Sequence, residues 1–304
     1  MIDYNKWKYI NEFILNDIKS DKNIRFFINN SPYLNNKNKL INGVDNKILE
    51  KDDSIINIFI QIESTYIIKN SIERLIKQKE INEFFNYILT FDQNLLRLPN
   101  SYKLLPLLNY SWVRYPKELG VNPYIKHHYG HTLNCEYNKK NFNVSMLCGD
   151  KTFAPGHKVR HNIWNNQNNI KIPKKFYKPS GTKNLKIFDD NISITSKRDK
   201  TEMFDSMFHI CVENNNCKDY FTEKILDCIV SKTIPVYYGC PNIGDYFDTK
   251  GMIIVDNPND CIEKVNKLTQ EDYFKILPYA EKNFRIYKLL PNFDTQINNF
   301  LNII

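Results

Sequence analysis

Glycine is scarce in this chain, with nine among 304 residues, and none falls in a G-x-G-x-x-G or a G-x-x-x-x-G-K-[ST] run. That argues against dinucleotide or ATP binding through a glycine-rich loop, where the backbone must approach the phosphates closely. A phosphate site here has to come from helix N-termini and long cationic side chains. The seven cysteines are odd in number and contain no C-x-x-C pair. Cys148, Cys211, Cys228 and Cys240 lie in apolar runs and read as small buried hydrophobes. A reducing, cytoplasmic compartment is therefore expected. No run approaches the roughly 18 apolar residues of a membrane span. The first residues, "MIDYNKWKYINEFILNDIKSDKN", mix charges throughout, so neither a signal peptide nor a membrane anchor is expected. No basic block exceeds a few residues, which argues against nucleic acid as a partner. The net charge of +8 suits an anionic small ligand and an ordinary surface equally well.

The chain is 42% hydrophobic and 25% charged, an ordinary globular composition long enough for two cores. Residues 4–19 put Trp7, Ile10, Ile14 and Ile18 on one helical face. "NIRFFIN" (23–29) reads as a strand. "SIINIFIQIE" (54–63) is a nearly continuous β-branched run, as expected of a parallel strand buried on both faces. "SIERLIKQKEINEFF" follows as a helix and "NYILTFD" (86–92) as a further strand. From about Tyr115 to Lys140 the periodicity lapses, and the domain boundary is placed there. A second series follows: strand 142–149, helix "GHKVRHNIWNNQNN", a loop, helix "SKRDKTEMFDSM", strand "FHICVE", helix "TEKILDCIVSK", then strands "IPVYYG" and "MIIVD". The tail "NFDTQINNFLNII" is a short amphipathic helix. The fold class is α/β with two domains, 1–138 and 139–304, the C-terminal helix being able to pack back on the first. A ligand cleft is expected between them.

The second domain carries the densest pattern. Thr222 precedes a helix whose apolar face is Ile225, Leu226, Ile229 and Val230. Threonine is a good N-cap, and Glu223 in the first turn complements the helix dipole. A capped helix between two strands accounts for both residues. Two features point further. The helix follows a strand ending in "VENN", so its N-terminus lies at the carboxyl edge of a parallel sheet, where doubly wound folds bind ligands. Lys224 in the first turn also runs against the dipole preference, as it would if it faced an anion such as a diphosphate. Arg160, early in the helix after strand 142–149, stands at the same kind of edge and could grip phosphate with two bonds. A surface arginine is the plain alternative.

The stretch "CVENNNCKDYFTEKILDCIVSKTIPVYYGCPNI" resembles the signature of the α1,3-fucosyltransferase family, glycosyltransferase family 10. The resemblance is clear over about residues 142–256 and continues weakly through "IFIQIESTYI" and "ILTFDQNLLRLPNS". It implies a GT-B fold of two facing Rossmann-like domains with a cleft between them, the first on the acceptor side and the second binding the nucleotide sugar. It implies transfer of fucose from GDP-fucose to a hydroxyl of an acceptor glycan, with inversion. Tyr220, Thr222, Glu223 and Lys224 then match the donor-binding motif. Glu213 and Asn214 match its "E-N", and Arg160 a donor-phosphate arginine. Glu63 matches the proposed general base. The usual Phe before Glu213 is Val212 here, the usual Trp after Tyr237 is Tyr238, and Ile62 stands where Gly commonly precedes the base.

The chemistry is consistent with these positions. Inverting transfer needs a base to take the acceptor proton. A carboxylate at a buried strand end can have its pKa raised towards neutrality. A satisfied structural carboxylate is the plain reading of Glu63. The leaving diphosphate gains charge that Arg160, Lys224 and two helix N-termini could stabilise. No metal or other cofactor is then required, although a divalent ion could stimulate. His127, His128 and His131 of "HHYGH" invite a zinc reading, but Gly130 interrupts any helix and no acid or cysteine nearby completes a ligand set. His157 and His161 share a face with Arg160 beside them. Trp112, Tyr115, Tyr124 and Tyr129 could stack on acceptor sugars or simply pack a loop. Two other functions stay open: a GT-B enzyme with a different nucleotide sugar, and a non-catalytic carbohydrate-binding relative.

Overall fold

A computed structural model describes residues 20, 22–42, 45–106, 140–186, 188, 192–195, 200–291 and 293–304. The expected helix over 4–19, the domain boundary, "HHYGH" and the four aromatics from Trp112 to Tyr129 lie outside them. The chain divides into two compact units. The first takes in the described residues up to 106 together with Lys218–Tyr220 and Pro291–Ile304. The second takes in the described residues from 140 to 217 and Phe221–Leu290.

The first unit is built on a four-stranded parallel sheet in the order β1-β4-β5-β6, from Ile24–Ile28, Ile56–Ile60, Tyr87–Thr90 and Ser101–Lys103. A small antiparallel pair, β2 (Tyr33–Leu34) and β3 (Leu40–Ile41), sits in the first connection. The "INIFI" run is buried from its second residue on, as its unbroken apolar character requires of an interior strand. The expected single helix over 71–85 is two, α1 (Lys69–Lys77) and α2 (Lys79–Phe84), broken at Gln78, which takes an extended conformation. Ile72, Leu75, Ile81 and Phe84 pack against Phe27, Phe59, Phe85 and Ile88.

The second unit holds a six-stranded, wholly parallel sheet in the order β12-β11-β10-β7-β8-β9. In chain order the strands are β7 (Asn141–Leu147), β8 (Lys174–Pro179), β9 (Ile192–Thr195), β10 (Ser206–Val212), β11 (Ile234–Tyr238) and β12 (Ile253–Ile254). Its helices are α3 (Pro155–Asn165), α4 (Glu223–Val230), α5 (Pro258–Asn266) and α6 (Gln270–Leu289). Val144, Met146, Phe208, Ile210, Ile234 and Val236 meet Trp164 of α3 and Val265 of α5 in one core.

Three differences from the sequence reading have local causes. β8 was expected as loop, because lysines flank its two buried residues, Phe176 and Tyr177, and dilute the apolar signal. The helix expected over "SKRDKTEMFDSM" is, in its described part, a 3-10 turn at Thr201–Asp205, and Ser206 already opens β10. The 20-residue α6 escapes notice because Pro278 interrupts the pattern midway, yet the helix continues through it. α7 (Phe293–Leu301) belongs to the first unit. There Gln296 Oε1 accepts from the Leu105 N–H at 3.0 Å, and the Phe300 ring meets Tyr87 at 5.2 Å. No helix among the described residues is long and apolar enough to cross a membrane.

Candidate functional site

Strand order locates the site. From β7 the chain moves to β8 on one side, while from β10 it moves to β11 on the other. Right-handed crossovers then send α3 and α4 to opposite faces. The gap between β7 and β10 at their carboxyl ends is a topological switch point, where open α/β sheets bind ligands. Both helix N-termini open beside it.

Glu213 stands at its centre, one residue beyond β10 and wholly buried. Its Oε1 accepts the Thr222 N–H at 2.9 Å, and its Oε2 accepts the Thr222 hydroxyl at 2.7 Å. The Lys224 ammonium lies 3.5 Å from Oε2. Thr222, with extended backbone, caps α4 through the Lys224 N–H. Lys224 Nζ also donates to Thr222 Oγ1 at 3.0 Å and stands 3.4 Å from Glu223 Oε1. A lysine in the first turn is therefore held by two of the protein's own carboxylates, which offsets the unfavourable dipole. Burial by itself would push the Glu223 carboxyl up, but Lys224 and Lys200, with the Thr222 hydrogen bond, bring it down to about 2. It is thus ionised at neutral pH and able to accept hydroxyl groups.

Arg160 reaches over the end of β10. Its Nη1 donates to Val212 O at 3.2 Å and its Nη2 to Asn214 Oδ1 at 2.7 Å. This approach needs Gly156. A Cβ there would stand 1.7 Å from the Glu213 carbonyl oxygen, and its N–H donates to Asn214 O at 3.0 Å. Gly239 is constrained likewise, since a Cβ would come within 2.7 Å of Glu213 Cγ. His157 accepts the Ala154 N–H at 3.2 Å and so closes the first turn of α3. Burial, then Arg160 and Lys151, take its imidazole down to about 4, so it is neutral.

The structure therefore brings Arg160, Glu213, Asn214, Thr222, Glu223 and Lys224 together in the second unit. Tyr220 and Glu63 belong to the first unit. Tyr220 is fully buried, with its ring 5.4 Å from that of Phe91. Glu63 lies three residues past the end of β4, half-buried. Its N–H donates to Asn29 Oδ1 at 2.9 Å and its carbonyl accepts from Gln61 Nε2 at 3.1 Å. Two members of the cluster escaped the sequence reading. Lys200 and Asp227 form an ion pair at 3.3 Å and line, with Arg160 and Lys224, a cavity of about 60 Å3. Asp227 could have been noticed as a lone acid among the apolar residues of α4, whereas nothing local marks Lys200. Among the described residues, no three His, Cys, Asp or Glu side chains gather as a metal site.

A family comparison falls on the segment that holds the cluster. Residues 160–284 match the glycosyltransferase family 10 (fucosyltransferase) C-terminal domain. This segment is similar to glycosyltransferase family 10. Within 85 residues the chain is 34% identical to the alpha-(1,3)-fucosyltransferase FucT of Helicobacter pylori, a match covering 28% of this chain and 16% of that protein. It is also 34% identical over 100 residues to GDP-fucose protein O-fucosyltransferase 3 of Danio rerio, covering 28% of this chain and 22% of the relative. The chain thus matches less than a quarter of the length of either protein. Among solved structures, Anabaena Alr3699/HepE in complex with UDP-glucose superposes with a TM-score of 0.53 at 9% identity, over 82% of this chain and 71% of that one. That likeness concerns the α/β fold alone. The family 10 segment contains every member of the cluster.

Proposed function

We propose that this chain is an inverting fucosyltransferase that moves fucose from GDP-fucose to a hydroxyl of an acceptor glycan. The observation that carries the reading is the cluster at the switch point, lying inside the family 10 segment. Arg160 and Lys224 would bind the diphosphate, helped by the N-termini of α3 and α4. Glu223, ionised, would accept ribose or sugar hydroxyls. Glu213, with no exposed atom, would act through Thr222 and Lys224 by fixing their positions. Asn214 would orient Arg160, and Tyr220 would complete the donor side. Glu63 would take the acceptor proton as the anomeric carbon is attacked from the face opposite the diphosphate. The leaving diphosphate would gain its negative charge beside Arg160 and Lys224, so that no metal is required. The first unit would serve the acceptor and the second the donor.

Cys148, Cys211, Cys228 and Cys240 are buried, as small hydrophobes are. A reducing, cytoplasmic setting is the reading that such buried thiols favour. The match to a protein O-fucosyltransferase favours a second reading in which the acceptor hydroxyl belongs to a protein. Thermal melting with GDP, UDP and their sugars tests the donor assignment, since a ligand that binds only the folded state raises the melting temperature. Selective stabilisation by GDP is expected. Stabilisation by UDP alone would point to a different nucleotide sugar, and no shift with any nucleotide to a non-catalytic relative.

A further inference from the structure

Lys200 is a cation of this site that the donor motif does not contain. It precedes the 3-10 turn leading into β10, and its ammonium lies 3.3 Å from Asp227 Oδ2, in the second turn of α4. Both groups are withdrawn from water, Lys200 to 17% exposure and Asp227 to 0%. Replacing such a pair with apolar residues of similar volume is often neutral or stabilising. Packing alone therefore gives little reason to keep it.

Its position gives one. Lys200 and Asp227 line the same cavity as Arg160 and Lys224, and the Lys200 charge helps to hold Glu223 ionised. Lys224 already faces two protein carboxylates, Glu213 and Glu223. A diphosphate that gains charge as the glycosidic bond breaks would thus meet a lysine that is largely neutralised. A further ammonium on the cavity wall, itself paired with Asp227, adds a third cationic side chain there beside Arg160 and Lys224.

We propose that Lys200 is a third cation for the diphosphate of the nucleotide sugar. Asp227 holds its ammonium at the cavity wall and competes with the diphosphate for it. The inference rests on the donor reading above.

The test is calorimetry with GDP and guanosine on the full chain. The variants are the double Lys200→Gln/Asp227→Asn, which removes both charges of the pair together, and Asp227→Asn alone. The double variant should bind GDP roughly ten- to hundredfold more weakly, as for loss of one charge-assisted contact, with guanosine affinity unchanged. Asp227→Asn should bind GDP at least as tightly as wild type, because the competing anion is gone. A merely structural pair predicts the opposite sign for Asp227→Asn, and equal losses for GDP and guanosine. Unchanged GDP affinity in the double variant, or weakened GDP binding by Asp227→Asn, would overturn the role of Lys200. Should the double variant fail to fold, Asp227→Asn decides alone: retained or tighter GDP binding supports the proposal and weaker binding removes it. A wild-type chain that binds no GDP would overturn the donor reading itself.

Discussion

Glu213→Gln should cost stability before it costs chemistry. The carboxylate is wholly buried and satisfies three donors: the Thr222 N–H at 2.9 Å, the Thr222 hydroxyl at 2.7 Å and the Lys224 ammonium at 3.5 Å. Glutamine fits the space and retains one oxygen for the Thr222 N–H. Its amide nitrogen then faces Thr222 Oγ1, which already accepts from Lys224 Nζ at 3.0 Å, and it faces the ammonium itself. One charge-assisted hydrogen bond is lost, worth about 1.5–3 kcal/mol. Breaking a buried ion pair outright costs about 3–5 kcal/mol, but Lys224 keeps Glu223 at 3.4 Å, which moderates the loss. A net destabilisation of about 2–4 kcal/mol follows, or roughly 5–15 °C in melting temperature for a unit of this size. Urea and thermal melts of the variant measure it directly. Melting within a degree of wild type would show that the carboxylate does not bear these bonds, and the positioning role argued for Glu213 would go with them.

Arg160→Ala and Lys224→Ala should each weaken GDP binding by about 1.5–3 kcal/mol by calorimetry, and unchanged affinity in both would remove them from the donor site. Lys224→Ala should in addition lower the melting temperature, since it strips Glu213 of its counter-ion. Glu63→Gln should reduce turnover by roughly 10²–10⁴ while GDP affinity stays at the wild-type value, and transfer at near wild-type rate would place the base elsewhere. Stability should fall as pH drops below 6.5. Burial takes His209 down to about 3 and, with Arg160 and Lys151, takes His157 down to about 4. The unfolded chain protonates these imidazoles near 6.5 and the folded chain does not, so protons favour unfolding, by an amount on the order of several kcal/mol by pH 4. Urea melts across that range for wild type and His209→Asn should show a shallower slope in the variant, and parallel slopes would refute the assignment to His209.

Local sequence by itself determined much of this protein. The apolar runs around Ile56–Ile60 and Ser206–Val212 could only be strands covered on both faces, because such runs have no side to give to water. The order of strands and helices made parallel α/β units the natural outcome, and Thr222 before an apolar-periodic stretch marked the N-terminus of α4 where the structure has it. Nearest-neighbour periodicity records such features. It does not record partners. Only tertiary packing set β7 beside β10, and that adjacency makes the switch point. It also brought Arg160 onto Val212 and Asn214, some fifty residues away in sequence, and Lys200 onto Asp227. The meaning of Lys224 changed for the same reason: its place in a first turn suggested a bound anion, and the fold supplied the buried Glu213 through a loop whose path no local pattern encodes. Gly156 shows the limit most directly. In the sequence it is a small residue before a helix, whereas in the structure a single added carbon would overlap the carbonyl oxygen of Glu213, because the sheet brings the two backbones into contact.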